Sequence, residues 1–235
     1  MKKLLHGAIL LFASIILTAC MYPEERLAKN QIPYEQQLQM VQTAVNQYKE
    51  DTGGLLPIKT KNNDTPLYQK YLIDFQKLIP QYLSEAPGNA FESGGIFQYV
   101  LVNVEEDPTV KLIDLRIAET IREIKIRIQS QGYPPFKEEI ANNVYTLNYE
   151  LLGYKEEPFV VSPFTQNNLP LVINGNAEIF VDYRIDLYQA LQQMEVSVQQ
   201  GEDIRYILME NSPFVPAYSL PYTVNEKNEP VFFTN

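Results

Sequence analysis

Residues 96–130 read IFQYVLVNVEEDPTVKLIDLRIAETIREIKIRIQS. Both periods of secondary structure occur here, one after the other. Residues 96–104 are aliphatic or aromatic apart from Gln98 and Asn103, and rich in Val, the composition of a strand with little solvated face. Glu105, Glu106, Asp107 and Pro108 interrupt it as a turn, and Val110 to Leu112 return as a second strand. From about Asp114 to Ser130 the spacing changes. Ile117, Ile121, Ile124 and Ile128 recur at three and four residues, which is one face of a helix, and Gly132 closes it. A hairpin running into an amphipathic helix predicts an α+β fold, with helices packed on small antiparallel sheets.

The flanking sequence repeats this grammar. A helix over residues 34–51 carries Leu38, Val41, Val45 and Tyr48 on one face and stops at Gly53 and Gly54. A second helix is expected from Thr65-Pro66 to Pro80, with Tyr68, Leu72, Phe75 and Ile79 as its stripe. Downstream, Tyr145, Leu147, Tyr149 and Leu151 alternate as a strand would. Residues 171–173 and 178–182 flank Asn174-Gly175-Asn176, a hairpin signal. A last helix is expected over about residues 186–199, with Leu187, Leu191, Met194 and Val198 aligned. Residues 225–228 then turn between Tyr222-Thr223-Val224 and Val231-Phe232-Phe233.

Short motifs recur as well. Ile113-Asp114-Leu115 reappears as Ile185-Asp186-Leu187, and Pro158-Phe159-Val160 as Pro213-Phe214-Val215. Two accounts stand side by side. One is three diverged helix-plus-hairpin units at 34–112, 113–183 and a shorter 184–235. The other is chance recurrence within ordinary α+β alternation.

The N-terminus has its own chemistry. Lys2 and Lys3 precede a stretch, residues 4–18, that is apolar apart from His6, Gly7, Ser14 and Thr18. Leu17-Thr18-Ala19-Cys20 then form a lipobox, small residues followed by the thiol that receives a diacylglyceryl group. The apolar stretch is shorter than the ~20 residues a membrane span needs. Residues 1–19 are therefore expected to be a cleaved signal peptide and Cys20 the lipidation site. Residues 20–33 are expected to form a tether, and the body to sit on the outer, extracytoplasmic face of a cell membrane. The 13 residues from Met21 to Pro33 reach ~45 Å at most, at ~3.5 Å per residue.

Composition narrows the function. The single histidine, His6, lies in the signal and the single cysteine is Cys20. The mature chain thus lacks imidazole and free thiol, which excludes Ser-His-Asp and Cys-His nucleophile systems and His- or Cys-based zinc sites. Loss of Lys2 and Lys3 leaves 17 basic residues against 29 acidic, a net charge of −12, which disfavours nucleic acid and electrostatic docking on anionic lipid. No cofactor is expected. Carboxylates are plentiful at Glu105-Glu106, Glu138-Glu139, Glu156-Glu157 and the Glu119/Glu123 pair, but they sit in turns or on charged helix faces. Asn62-Asn63-Asp64 lacks the alternating ligands and glycine of an EF-hand loop and reads as a cap and loop. Tyr133, Tyr154, Tyr218 and Tyr222 fall in proline-marked loops and are the candidate ligand-binding side chains, since a tyrosine ring offers area and its hydroxyl a hydrogen bond. The function expected is that of a non-enzymatic lipoprotein with a protein-interaction or envelope-assembly role. The alternative is a solute- or polysaccharide-binding lipoprotein serving an ABC transporter. A carboxylate hydrolase ranks third.

Two resemblances add to this. Residues 30–34, 53–60, 65–71, 90–104 and 108–116 are similar to the YphF-type lipoproteins of Bacillus and relatives, sometimes labelled ABC-transporter binding proteins. The likeness covers the signal, the lipobox and most of the mature half nearest to it. It implies a Gram-positive cell and the outer face of its membrane, and it carries over no functional residue except Cys20. Separately, Tyr48-Lys49-Glu50-Asp51-Thr52-Gly53 and Leu56-Pro57 resemble the end of a pseudopilin helix. Residues 78–83, Pro87, Phe91, Gly95 and Gln98-Tyr99 resemble the loop and strand that follow there. That likeness implies helix-on-sheet architecture only, because the prepilin cleavage site and polymerising helix are missing.

Overall fold

The structure is a computed structural model and describes residues 34–193 and 198–234. The expected signal, Cys20, the tether and Met194 lie outside the described residues. Helix α1 (Tyr34–Asp51) buries Val41, Ala44 and Val45. Strands β1 (Phe97–Val102) and β2 (Thr109–Asp114) pair antiparallel, with Phe97 opposite Asp114 and Val102 opposite Thr109. The helix lies along this hairpin. At its start the Tyr34 ring packs edge-on against Phe97, centroids 5.2 Å apart. Two turns later the Gln42 side chain accepts from Val110 N–H at 2.7 Å and donates to the Pro108 carbonyl at 2.9 Å. α1 therefore runs from the open end of the hairpin to its turn end.

Both hairpin edges are covered. On the β1 side Leu101 N–H donates to Tyr71 O (2.9 Å) and Ile73 N–H to Tyr99 O (3.0 Å). On the β2 side Leu112 N–H donates to Pro213 O (2.8 Å) and Val215 N–H to Leu112 O (3.0 Å). The first of these contacts corrects the expected second helix. In place of one helix to Pro80 there are two four-residue turns, α2 (Leu67–Lys70) and α3 (Phe75–Leu78), separated by an extended link. The β1 edge supplies backbone partners for residues 71–73, so they leave helical geometry, and Asp74 restarts the helix by accepting Gln76 N–H at 3.2 Å.

Helix α4 (Leu115–Gln131) follows β2 directly. Its stripe of Ile117, Ile121, Ile124 and Ile128 is buried as expected, and Gly132 ends it with φ of 93°. Strands β3 (Phe136–Ala141) and β4 (Val144–Leu147) open the second lobe, and β5 (Val160–Val161) and β6 (Asn168–Leu169) form a short side pair. With β7 (Leu171–Asn174) and β8 (Ile179–Val181), β3 and β4 make a four-stranded antiparallel sheet in the order β3-β4-β7-β8. The alternation expected to carry β4 through Leu151 breaks early, because residues Tyr149–Leu152 close into a 3₁₀ turn. Helix α5 (Arg184–Gln193) starts before the expected Asp186, and the chain ends in the hairpin β9 (Tyr222–Val224) and β10 (Pro230–Phe232). These mixed helices and small antiparallel sheets are an α+β fold.

Apolar side chains gather in two main cores. One holds Val41, Ile73, Tyr99 and Leu112 together with Phe214; the other runs from Ile117 through Ile173 and Leu187 to Phe232, so the second and third expected units feed a single core. A third, smaller cluster of Tyr68, Val100, Ile113, Val215 and Ala217 joins them.

Recurrence is present, in a different register from the tripeptides. Asp114-Leu115-Arg116, Asp182-Tyr183-Arg184 and Asp203-Ile204-Arg205 share one geometry. In each, the carboxylate accepts the arginine N–H (3.0, 3.1 and 3.2 Å) and also receives its guanidinium through Nε and Nη2. Asp182, not Asp186, is thus the counterpart of Asp114, and Ile185-Asp186-Leu187 lies inside α5. Phe159 is 51% exposed whereas Phe214 is core, so those two prolyl-phenylalanines are not equivalent either. The matching pair is Ser162-Pro163-Phe164 and Ser212-Pro213-Phe214, where each serine Oγ accepts the phenylalanine N–H at 3.0 and 3.2 Å.

Candidate functional site

A groove of about 530 Å³ opens at the turn end of the β1–β2 hairpin. Its floor is Leu101 and Val102. One wall is Leu67, Tyr68 and Tyr71, where α2 leaves for the β1 edge. The opposite wall is Asp203 with Tyr206 and Met209 of the 3₁₀ segment Ile204–Met209 that it caps, and Glu105 and Glu106 form the rim. The first wall exists because the expected helix is broken at Tyr71. The second is brought across by residues 213–215 pairing with β2.

Two cations fix the walls. The Arg205 guanidinium is held by Asp203 and donates to Ser219 O and Oγ at 3.3 and 3.2 Å, and it stacks 5.0 Å from the centre of the Tyr68 ring. The Lys111 ammonium donates to the carbonyls of Met209 (2.8 Å) and Ser212 (2.6 Å), satisfying groups the 3₁₀ segment leaves free at its end. Burial lowers the Lys111 pKa. Burial also pushes the Tyr68 hydroxyl up to about 12, with Arg205 opposing and Asp203 adding to the shift. That hydroxyl stays protonated at neutral pH. Lys70 lies over the Tyr71 ring at 5.6 Å. The groove thus presents aromatic faces, hydroxyls and carboxylates, a set suited to stacking and hydrogen bonding.

The four tyrosines chosen from sequence do not converge here. Tyr133 is exposed at the close of α4. Tyr154 packs on Arg127, 4.1 Å from ring centre to guanidinium carbon, and its hydroxyl meets Glu123 at 3.1 Å. Tyr218 is half-buried at φ 58°, with its carbonyl accepting Val181 N–H at 2.8 Å. Tyr222 corrects the expectation outright. It is 0% exposed, its hydroxyl accepts Tyr183 N–H (3.0 Å) and donates to Val181 O (3.1 Å), and it ties β9 to the α5 junction. Sequence reasoning missed Tyr68 because it stood in the stripe of the expected second helix, and it singled out neither Tyr71 nor Tyr206. The repeated Asp-x-Arg string at 203–205 was the available signal for the second wall.

The carboxylates need one correction too. The paired glutamates are exposed, on turns and helix surface as read, except that Glu138 and Glu139 lie in strand β3 and not in a turn. Asp186, however, is wholly buried, accepting from Ser162 Oγ and Thr165 Oγ1 at 2.6 Å each. Burial raises its pKa, the two hydroxyl bonds oppose this, and Asp182 adds to it. Ser162 is equally enclosed, so the cluster braces the 162–167 loop against α5 and has no face toward a substrate. Among the described residues no group of three His, Cys, Asp or Glu side chains could hold a metal ion.

Residues 34–114 match the sequence model of the YphF family N-terminal domain. Over those residues the chain is similar to the N-terminal domain of the YphF family. The match ends at the helix cap Asp114, so it contains the floor, rim and first wall of the groove, while the second wall comes from residues beyond it. No curated protein and no solved structure matches the chain.

Proposed function

We propose that this protein is a membrane-anchored extracytoplasmic lipoprotein with a non-enzymatic interaction role. Lipid on Cys20 holds the α+β body at the outer face of the membrane, and the groove between Tyr71 and Tyr206 receives a segment of a protein partner in the cell envelope. The observation that carries this is the groove: open, tyrosine-lined and rimmed by carboxylates, with its walls fixed by Arg205 and Lys111. Rigid tyrosines present contact area at low entropic cost, which suits recognition. The Leu17-Thr18-Ala19-Cys20 string supports the anchor.

A second reading, a solute- or polysaccharide-binding lipoprotein associated with an ABC transporter, draws on the same wall. Tyrosine faces beside Glu105, Glu106 and Asp203 are the groups sugars take.

The test places a photo-crosslinking amino acid at Tyr206 in the full chain expressed in cells. Crosslinks to a defined protein, lost when Tyr71→Ala is added and lost in the unacylated Cys20→Ala variant, are expected. Crosslinks to wall polysaccharide alone would transfer the assignment to the second reading. A Tyr206 position that yields no more product than one at the exposed Lys227 would sink both.

A further inference from the structure

We propose that the groove takes an extended, lysine- or arginine-bearing segment of a partner protein, with the cationic head group seated on the Tyr206 ring among carboxylates that no cation of this chain pairs. This deepens the interaction reading above and rests on it.

The charge around the groove is one-sided. Its elements, residues 67–71, 101–111 and 202–210, carry six carboxylates against three cations. All three cations are already engaged. Asp203 holds Arg205 at 2.7 Å, Lys111 donates to two backbone carbonyls, and Lys70 lies over the Tyr71 ring. Among the described residues no ion pair reaches Glu105, Glu106, Asp107, Glu202 or Glu210, and all five are exposed. Glu105 and Glu106 stand on the rim. Burial raises the Tyr206 hydroxyl pKa and the charges of Glu202 and Glu210 add to the rise, which places both carboxylates near the outer end of that ring.

The rings narrow the seat. Tyr68 and Tyr71 each carry a cation of the chain, Arg205 and Lys70. Tyr206, 36% exposed, carries none among the described residues, and it stands on the wall across from Leu67, 56% exposed. A cation over an aromatic face gains from the ring quadrupole, and a carboxylate alongside adds a charge-assisted hydrogen bond. Arg205, between Tyr68 and Asp203, is that arrangement realised within the chain.

The layering of the groove favours a long side chain on an extended backbone over a small free cation. Floor and walls include the aliphatic Leu67, Leu101, Val102 and Met209, and the carboxylates lie at the mouth. Lysine and arginine have the same order, an apolar stem under a charged head. Residues 71–73 pair with the β1 edge as far as Leu101, and α2 precedes them, so among the described residues no strand continues that pairing. A partner segment laid there adds to the edge, and its cationic side chain runs along the aliphatic wall to the rim. The same carboxylates repel an acidic segment.

The test uses the full acylated chain in nanodiscs of phosphatidylcholine, whose neutral surface does not attract a basic peptide. Three fluorescent heptapeptides alternate threonine with lysine and arginine, with glutamine, or with glutamate, and binding is read by anisotropy. The basic peptide is expected to bind at least fivefold more tightly than the glutamine peptide, and Glu105→Gln with Glu106→Gln to weaken it about fivefold. Glu156→Gln with Glu157→Gln removes the same charge away from the groove and is expected to leave the affinity within about twofold. Tyr206→Ala is expected to weaken the basic peptide about fivefold as well. Equal losses in the two double variants would show attraction by the whole molecule and overturn the seat. Equal affinity for all three peptides, lost in Tyr71→Ala, would overturn the charge selection and leave the groove an interaction site. Displacement of the basic peptide by an equal concentration of choline would assign the seat to a small cation instead. Binding of none of the three would overturn this proposal, and the crosslink from position 206 would then decide the groove reading alone.

Discussion

The core around β1 and β2 takes its buried side chains from residues 41–112 and one ring, Phe214, from the far end of the sequence, with Phe164 packed half-buried against it. The core around β7 takes its members from Ile117 to Phe232 with no contribution from before α4. The second lobe is therefore closed by its own segment and the first is not. The family match stops at residue 114, yet the sheet inside the matched segment is completed by residues 213–215. A boundary drawn by sequence similarity and one drawn by burial and hydrogen bonding are different boundaries here.

The sharpest way to break that asymmetry is Phe214→Ala. The ring sits 5.4 Å from Phe97 and 6.5 Å from Tyr34, and its loss is expected to destabilise the protein by about 3 kcal/mol. The loss should appear as reduced hydrogen-exchange protection in residues 97–102. Unchanged protection there, with loosening confined to the second lobe, would show that the first lobe is self-sufficient.

Tyr222→Phe probes the other side. It removes the acceptor of the buried Tyr183 N–H and is expected to cost ~1–3 kcal/mol in urea unfolding. Exchange should rise across β7, β8 and α5 and stay level in β1. If β1 loosens equally, the two cores unfold as one unit and the contrast drawn above is only geometric.

The smallest effect is expected at Asp186. Its folded pKa is raised, so the folded state binds the proton more tightly than the unfolded one. Stability is then greatest below the ordinary carboxylate pKa and falls as pH rises through the raised value. Asp186→Asn should flatten that slope, read from urea midpoints across acid to neutral pH. An identical slope in the variant would place the titration elsewhere and leave the 162–167 brace without an electrostatic role.

Local pattern carried much of this architecture. The isoleucine stripe of α4, the α1 boundaries and the Asn174 turn needed only neighbours within a few residues, and the sequence displays those. What it did not display were decisions made by distant backbone. Leu72 sits in a helical stripe with Tyr68, Phe75 and Ile79, but residues 71–73 become extended because β1 offers them hydrogen bonds. Tyr222 looks like a loop residue but is enclosed because Val181 and Tyr183 meet its hydroxyl. The groove was hidden for the same reason, since its walls come from residues 67–71 and 203–209, which are distant in sequence and are brought together by the pairing of Leu112 with 213–215, the Lys111 bonds to Met209 and Ser212, and the stacking of Arg205 on Tyr68. The Asp-x-Arg clasps were readable in principle. The repeated Ile-Asp-Leu string drew attention to an aspartate four residues too late.

The late arrival of residues 213–215 also has a consequence in time. A chain that emerges N-terminus first presents β2 with its outer edge unpaired until roughly 100 further residues have followed. At synthesis rates of ~5–20 residues per second that is ~5–20 s, ample time for a bare strand edge to recruit another nascent chain. Lys111, which clasps the returning segment, sits on that same strand. Before the clasp forms, its free ammonium is the sort of edge charge that discourages strand-to-strand aggregation. One side chain would then act first as a guard on the immature edge and later as the latch that closes it.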